Sequence, residues 1–183
     1  MGLMEIRPAV FADCVRMQQI ERAAGEMFRD VGMPEIADDA PPSMEELERY
    51  VRTGSAWVAA SGSGPLEAYL LADRIDDALH IEQVSVDPAY GRLGRGRALI
   101  EQAAGQAAEL SCSVLTLTTF VDVPWNAPYY RRLGFAEIPD VGLTPGLAAV
   151  RRREAQIGLD RWPRTAMQRD LISSQQNREE SAT

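Results

Sequence analysis

The chain has 183 residues, which is the length of one ordinary domain and enough to bury a sizeable core. Hydrophobic residues make up 45% and charged residues 25% of it, the profile of a soluble globular protein. The formal net charge of -8 argues against nonspecific binding to nucleic acid, because neutralising phosphates needs a basic surface.

Neither a membrane span nor an export signal is visible in the sequence. No apolar stretch approaches the ~20 residues that a bilayer span needs, and residues 1–8 lack a basic segment followed by an apolar run. We therefore expect a cytoplasmic protein in which Cys14 and Cys112 are reduced core residues. A single histidine, His80, and two scattered cysteines give no metal-ligand spacing, so no metal is expected.

The first half of the chain alternates short strand and helix signals. In chain order, the patterns predict an edge strand at 4–7, a helix at 14–28 capped by Asp13, a loop at 30–42, a helix to 52 opening on the capping box Ser43–Glu46, strands at 56–60 and 66–72, and a strand at 79–86. The strands at 56–60 and 66–72 flank a Gly/Ser/Pro turn and predict an antiparallel hairpin.

The second half predicts the elements that complete a mixed sheet. They are a helix at 96–110, a strand at 114–120, a short helix capped by Asn126 and ended by Gly134, a strand at 135–138, a helix at 145–157 capped by Thr144, and a strand at 164–171. A hairpin meander followed by two βαβ-like units predicts an α/β fold with helices on the faces of the sheet. We expect one domain over 1–172 and a polar, disordered tail over 173–183.

A glycine-rich turn at residues 91–97 carries the strongest functional signal, because it joins the strand 79–86 to the helix 96–110. Glycines there leave backbone N–H groups uncovered, and the helix dipole adds a positive potential, so the turn suits a pyrophosphate. The arginines add charge-assisted donors. The predicted contacts are Arg92, Leu93, Gly94, Arg95, Gly96 and Arg97.

Closely spaced glycines also occur in ordinary tight turns, in P-loops and in dinucleotide fingerprints. This turn lacks the Gly-Lys-Ser/Thr ending of a P-loop. A dinucleotide fingerprint should follow the first strand of a doubly wound unit, whereas this turn follows a meander. A plain turn before a helix remains open on these residues alone.

Two segments resemble the GNAT superfamily of acyl-CoA-dependent N-acetyltransferases. The acyl-CoA signature Gln/Arg-x-x-Gly-x-Gly/Ala is matched at Gly94-Arg95-Gly96, although Gly91 stands at its first position. The second signature, an Asn followed by Tyr-x-x-Leu-Gly-Phe, is matched by Asn126 and by the run from Tyr130 to Phe135. Both lie in the family's order, separated by a helix and a strand.

The resemblance implies the GNAT fold, with about seven mostly antiparallel strands, splayed between strands 4 and 5 and flanked by helices. It also implies acetyl-CoA as the cosubstrate. The pantetheine arm is expected to pair with the strand residues Val84, Ser85 and Val86, and Asn126 to hydrogen-bond the cofactor. A backbone N–H near Val84 would be the oxyanion donor.

Direct transfer to an amine needs a general base and a general acid. The resemblance assigns Glu82 as the base, with His80 or a water molecule as alternatives, and Tyr130 as the acid that protonates the leaving thiolate. Tyr129 would point about a third of a turn away, so it is assigned to packing or to the pocket wall. No covalent enzyme intermediate is expected.

The acceptor is expected to be a primary amine of a small molecule, in contact with Phe28, Thr119 and Trp125. The acidic residues of segment 22–50 suit a cationic acceptor, but a solvated helix face is the favoured explanation for them. Two alternatives stay open, a protein or peptide N-acetyltransferase and a non-catalytic acyl-CoA sensor. A homodimer is the expected assembly.

Overall fold

The strands and helices follow the predicted order within residues 3–171, which the computed structural model describes. The strands are β1 (Met4–Pro8), β2 (Ala56–Ser61), β3 (Leu66–Ile75), β4 (Ala78–Val86), β5 (Val114–Phe120), β6 (Ala136–Ile138) and β7 (Arg164–Asp170). The helices are α1 (Cys14–Gly25), α2 (Pro34–Ala37), α3 (Met44–Arg52), α4 (Arg95–Glu109), α5 (Ala127–Arg132) and α6 (Pro145–Gln156).

One seven-stranded sheet has the order β1-β2-β3-β4-β5-β7-β6. β1, β2 and β3 pair antiparallel, and so do β5, β7 and β6, whereas Ala78–Ile81 of β4 pair in parallel with Val114–Leu117 of β5. The mixed, mostly antiparallel sheet of seven strands predicted from the sequence is therefore confirmed. The last strand, β7, inserts between β5 and β6.

The described residues divide into two compact units, one of 3–72 and 82–102 and the other of 73–81 and 103–171. In the first unit, apolar residues of α1 and α3 pack against β2 and β3, with Met17, Leu47 and Tyr69 fully buried or nearly so. In the second, Leu147 and Val150 of α6 pack on Ala166 of β7. The single domain over 1–172 and the splay between β4 and β5 stay predictions.

Several local predictions are confirmed. Ser43 and Glu46 form the capping box of α3, in which the Glu46 N–H donates to Ser43 Oγ over 3.2 Å. The Leu147 N–H donates to Thr144 Oγ1 over 3.4 Å at the start of α6. Both cysteines are buried and free.

Two predicted caps are wrong. Asp13 makes no side-chain cap on α1, because its carboxylate accepts hydrogen bonds from the Arg7 guanidinium at 2.7 and 3.0 Å and from the Val10 N–H at 2.8 Å. The Asn126 side chain makes no cap on α5.

The boundaries of two predicted elements also differ. α1 ends at Gly25 rather than at Phe28, and a 3-10 turn continues from it over Glu26–Val31. The loop predicted at 30–42 contains the short helix α2, which Pro34 opens at its first position. The tail predicted at 173–183 lies outside the described residues. Within residues 3–171, no helix has both the length and the apolar character for crossing a bilayer.

Candidate active site

The turn into α4 contains backbone donors that precede the hydrogen-bond ladder of the helix. Gly94 has φ of +79°, a left-handed conformation that favours glycine, and residues 91–94 are exposed. The Ala98 N–H donates to the Gly94 carbonyl over 3.0 Å, which opens the hydrogen-bond ladder of α4. The N–H groups of Arg95, Gly96 and Arg97 precede that ladder and have no acceptor in the helix, so they suit an anion.

The arginines around this turn differ in what their side chains contact. Arg95 donates from Nε to Glu67 Oε2 over 2.5 Å, from Nη2 to Ser61 Oγ over 2.9 Å and from Nη1 to the Leu93 carbonyl over 3.0 Å. Its guanidinium is thus held by the protein itself. Arg92 and Arg97 are exposed and form no ion pair with any residue of 3–171.

The second half of β4 carries Glu82, Val84, Ser85 and Val86, the residues predicted to face the thioester. Glu82 is exposed, and both valines are half-buried. Ser85 is 5% exposed, and its hydroxyl donates to Glu21 Oε2 over 2.5 Å. The Ser85 side chain is therefore turned into the protein, and its backbone groups are what it offers to a ligand.

A carboxylate that the sequence did not reveal lies beside this strand. Glu21 of α1 accepts hydrogen bonds through Oε2 from Tyr69 Oη and from Ser85 Oγ, both at 2.5 Å. Gln83 Nε2 contacts Glu21 Oε1 and Oε2 at 3.1 and 3.2 Å, and Ser85 Oγ at 2.8 Å. We call these four residues the Glu21 cluster.

The Glu21 cluster joins residues 48 to 64 positions apart in the sequence. Burial of Tyr69 and the neighbouring Glu21 carboxylate raise the pKa of the Tyr69 hydroxyl well above its usual value. Tyr69 therefore keeps its proton at neutral pH and donates a hydrogen bond to the carboxylate. One signal in the sequence could have indicated part of this cluster: the alternation of side chains along β4 places Gln83 and Ser85 on the same face of the strand.

In the second unit, Tyr130 of α5 is 9% exposed and packs edge-on against Tyr129 and Phe135, with ring centroids 5.5 and 5.8 Å apart. Burial, with a smaller effect of Tyr129, raises the pKa of the Tyr130 hydroxyl well above its ordinary value. Tyr130 is consequently a protonated donor at neutral pH. Asn126 is half-buried at the start of α5, and its carbonyl accepts from the Tyr130 N–H over 3.0 Å.

His80, the alternative base, lies deep in the second unit. It is 1% exposed, and its Nδ1 lies 2.9 Å from Thr116 Oγ1 on β5. Burial lowers the pKa of the imidazole to about 4, against opposing effects of Glu154 and Asp73. The ring is therefore neutral at pH 7, as a buried structural histidine should be.

The predicted acceptor residues fall in both units. Phe28 lies half-buried in the 3-10 turn after α1, in the first unit with the α4 turn and Glu82. Thr119 is 5% exposed on β5, and Trp125 is half-buried before α5, both in the second unit with Asn126 and Tyr130. Within residues 3–171, no group of three or more His, Cys, Asp or Glu side chains is placed to hold a metal ion.

A second buried polar network, also absent from the sequence prediction, joins α6 to β5 and β7. Glu154 accepts hydrogen bonds from Thr118, from Arg151 at 2.6 Å and from Arg164 at 2.9 Å. Burial acts to raise the pKa of Glu154, but Arg164 and the hydrogen bonds outweigh it, so the pKa lies below its usual value. The Glu154 carboxylate is ionised, and Arg151 and Arg164 neutralise its charge, so we assign it a structural role.

The profile described as the acetyltransferase (GNAT) family matches residues 17–135 of the chain. That segment contains all but the first turn of α1, the Glu21 cluster, the turn into α4 and the helix α5 with Tyr130.

Several solved acetyltransferase structures are similar to this chain in fold. N-acetylglutamate synthase from Neisseria gonorrhoeae, complexed with coenzyme A and N-acetyl-glutamate, has a TM-score of 0.71 and 17% identity over 93% of this chain and 36% of its own. PaiA N-acetyltransferase from Thermoplasma acidophilum, in complex with coenzyme A, has a TM-score of 0.64 and 12% identity over 92% of this chain and 99% of its own.

The ribosomal-protein-S18-alanine N-acetyltransferase from Escherichia coli has a TM-score of 0.61 and 20% identity over 92% of this chain and 94% of its own. This chain thus corresponds to a part of the larger Neisseria protein and to nearly the whole of the other two. At these low identities, the likeness shows a shared fold.

Proposed function

Because the chain belongs to the GNAT acetyltransferase family, and is thereby an acyl-CoA-dependent acetyltransferase, we propose that it transfers an acetyl group from acetyl-CoA to a primary amine of a small molecule. Similar structures contain coenzyme A, among them PaiA and the Mycobacterium tuberculosis protein Rv2747. The acceptor and the roles of single residues are the parts of this proposal that experiments must establish.

The turn into α4 is the observation that carries the proposal. Three backbone N–H groups precede the first bond of the helical ladder, and residues 91–94 are exposed around Gly94. A diphosphate accepts several hydrogen bonds at once and carries negative charge, so it matches this row of donors and the helix dipole. Arg92 and Arg97 add positive charge from side chains that no residue of 3–171 neutralises by an ion pair.

Arg95 contributes differently. Its guanidinium is engaged with Glu67, Ser61 and the Leu93 carbonyl, so we assign to Arg95 a backbone contact with the diphosphate rather than a side-chain contact. In the same way, Ser85 contributes its backbone, because its hydroxyl donates to Glu21. Val84 and Val86 pair with the pantetheine arm through their backbone groups, and Asn126 hydrogen-bonds the cofactor.

The chemical step requires a base for the amine and an acid for the thiolate. Among the base candidates, Glu82 has an exposed side chain, whereas His80 is buried, neutral and in contact with Thr116. We therefore favour Glu82, acting directly or through water. Tyr130 holds its proton at neutral pH and is the donor that we assign to the departing thiolate.

The decisive experiment is a screen of amine acceptors with acetyl-CoA, read as free thiol released over time. The panel contains alkylamines, diamines, arylalkylamines and a peptide with a free N-terminus, since the structural neighbours include an acetyltransferase named for a ribosomal-protein alanine. Thiol release without amine is the control for plain hydrolysis. Small-amine turnover supports the proposal, and turnover of the peptide alone would replace it with a peptide acetyltransferase.

Calorimetry with acetyl-CoA separates an enzyme from a sensor. Binding without turnover of any amine would point to the non-catalytic sensor, and no binding would contradict the diphosphate site at α4. Size-exclusion chromatography tests the homodimer, and the cytoplasmic location likewise stays a prediction.

A further inference from the structure

The turn between β4 and α4 is held at each end by an ion pair. At the α4 end, Arg95 pairs with Glu67 of β3. At the β4 end, Arg16 of α1 donates from Nη2 to Asp87 Oδ2 over 2.6 Å, and these two side chains are 28% and 14% exposed. All four residues belong to the first unit. An arginine from another helix therefore reaches the residue at which the turn begins.

Asp87 joins this ion pair to the local structure of the turn. Its Oδ1 accepts a hydrogen bond from the Ala89 N–H over 2.9 Å, while its Oδ2 accepts from Arg16. The Asp87 carbonyl also accepts from the Tyr90 N–H over 2.8 Å. One carboxylate therefore caps the 3-10 turn Pro88–Tyr90 and receives the guanidinium, so the loss of Arg16 acts directly on the first residues of the turn.

Both ends of the turn are attached to the first two residues of β3. Arg16 Nε donates to the Leu66 carbonyl over 3.1 Å, and the Asp87 N–H donates to the Glu67 carbonyl over 2.8 Å. The Glu67 carboxylate accepts from Arg95. The start and the end of the turn are therefore fixed to neighbouring residues of one strand, which sets the distance that the residues between them must span.

The residues between the two attachments adopt a backbone conformation that needs support. Arg92 has φ of +61°, in the left-handed region that a residue with a Cβ seldom adopts, and Gly94 has φ of +79°. Residues 91–94 are exposed, so packing contributes little to holding them. We therefore attribute the conformation of the turn to its attachments at Asp87 and Arg95.

We propose that Arg16 is a positioning residue for the cofactor: through Asp87 it keeps the turn in its binding conformation before coenzyme A arrives. This inference rests on the proposed diphosphate site at α4. A turn that is ordered in advance loses less conformational entropy on binding, so its ligand binds more tightly. Arg16 acts from α1, and its guanidinium is directed at Asp87 and at the Leu66 carbonyl.

The charge of Asp87 distinguishes this proposal from simple electrostatic attraction. A carboxylate near a diphosphate repels it, so removal of Asp87 would tighten coenzyme A binding if charge alone decided the affinity. If the ion pair acts by positioning the turn, removal of either partner weakens binding, and removal of both is no worse than removal of one.

The test measures the acetyl-CoA Kd by calorimetry, and kcat and KM by thiol release, for Arg16→Met and Asp87→Ala in the full chain. We expect each variant to raise Kd and the KM for acetyl-CoA about tenfold, while kcat at saturating acetyl-CoA stays within about threefold of the wild type. The binding entropy should become less favourable, because the ligand must then order the turn. The double variant should bind as weakly as the weaker single variant.

Arg7→Met and Asp13→Ala are the matched controls. Asp13 likewise accepts hydrogen bonds from an arginine and from a backbone N–H, and 10% of its side chain is exposed. Its ion pair joins β1 to the residue before α1 and does not touch the turn. These two variants should lose a similar amount of stability in urea unfolding, yet change the acetyl-CoA Kd by less than about twofold.

An unchanged Kd in both Arg16→Met and Asp87→Ala, or an equal rise in the controls, would overturn the proposal. Weaker binding in Arg16→Met together with tighter binding in Asp87→Ala would also overturn it, because Arg16 would then attract the diphosphate by its charge.

Arg16→Lys is the milder variant, to be used if Arg16→Met does not fold. It keeps the charge but lacks the planar fork that contacts Leu66 and Asp87 at once, so we expect Kd to rise about threefold. A wild-type Kd in Arg16→Lys would then count against positioning. Failure of the diphosphate site itself would look different, because the wild type would bind no acetyl-CoA.

Discussion

Arg95 Nε donates to Glu67 Oε2 over 2.5 Å, and this pair ties the first residue of α4 to β3. Both side chains are shielded from solvent, since 14% of the Arg95 side chain and 4% of the Glu67 side chain are exposed. The pair thus anchors the start of the helix whose N–H groups we assign to the diphosphate, although neither charge is itself available to a ligand.

Replacing Glu67 by Ala should destabilise the protein by about 3 kcal/mol, because removal of one partner leaves the Arg95 charge shielded and unpaired. Coenzyme A binding should weaken about tenfold, since the turn loses its anchor. Urea unfolding and calorimetry measure the two effects. The double variant Glu67→Ala/Arg95→Ala should be less unstable than the sum of the single variants, and strict additivity would show that the pair has no energetic coupling.

Gly94→Ala should reduce both stability and coenzyme A affinity. At φ of +79° a Cβ is strained whatever space surrounds it, and the expected cost is about 1–2 kcal/mol. Gly105→Ala in the exposed interior of α4 is the matched control. Apart from the neighbouring backbone of the helix itself, no atom lies within 4 Å of the place that the new methyl group would take, and alanine is the better helix former.

Gly105→Ala should raise stability by about 0.5–1 kcal/mol and leave coenzyme A binding unchanged. Thermal unfolding and calorimetry on both variants check the contrast. Equal coenzyme A affinity in Gly94→Ala and the wild type would remove the turn from the binding site.

Tyr130→Phe should lower kcat by about a hundredfold or more while acetyl-CoA still binds, because only the proton donor for the thiolate is lost. Tyr129→Phe, one residue earlier on α5, should change kcat by less than about threefold. Steady-state thiol release and calorimetry distinguish the outcomes. Full activity of Tyr130→Phe would show that another group, or water, is the general acid that protonates the thiolate.

The single histidine provides a pH-dependent test of the fold. The pKa of His80 is about 4 in the folded protein and near the ordinary 6.5 in the unfolded chain, so the unfolded chain binds the extra proton between these values. Stability should be complete above pH 6.5 and fall by roughly 3 kcal/mol as the pH drops to 4.

Urea unfolding at several pH values measures this loss, and proton NMR of the one imidazole gives its midpoint directly. His80→Asn should be less stable at pH 7 but should show a flatter profile between pH 6.5 and 5. An imidazole that titrates near 6.5 in the folded protein would contradict the buried, neutral assignment. Further loss below about pH 4.3 belongs to paired carboxylates such as Glu67, whose pKa Arg95 and Ser61 hold down against the effect of burial.

Local signals in the sequence predicted local structure well. The box of Ser43 and Glu46 needs only residues three apart, and the structure confirms it. Asp13 has the same local preference for capping, but Arg7 on β1 competes for its carboxylate and wins through two charge-assisted hydrogen bonds. The cap failed because a charged partner came from another element.

The candidate site likewise combines local features that the sequence predicts with long-range contacts that it does not. Gly94 and the start of α4 follow from neighbouring residues and were predicted as a turn and a helix. The Glu21 cluster and the pairing of Arg95 with Glu67 join residues 28 to 64 positions apart, and no spacing rule connects them. The insertion of β7 between β5 and β6 was equally invisible, since all three strands have similar alternation.

That insertion has a consequence for how the protein is made. β7 is the last strand of the sheet to leave the ribosome, yet it forms the antiparallel ladders on both sides, with β5 and with β6. Until residues 164–170 have emerged, β5 and β6 on the nascent chain lack the partner that joins them and expose unpaired edges, the feature that invites misassembly with other chains. Shielding of those edges during synthesis therefore depends on the translation of the final strand.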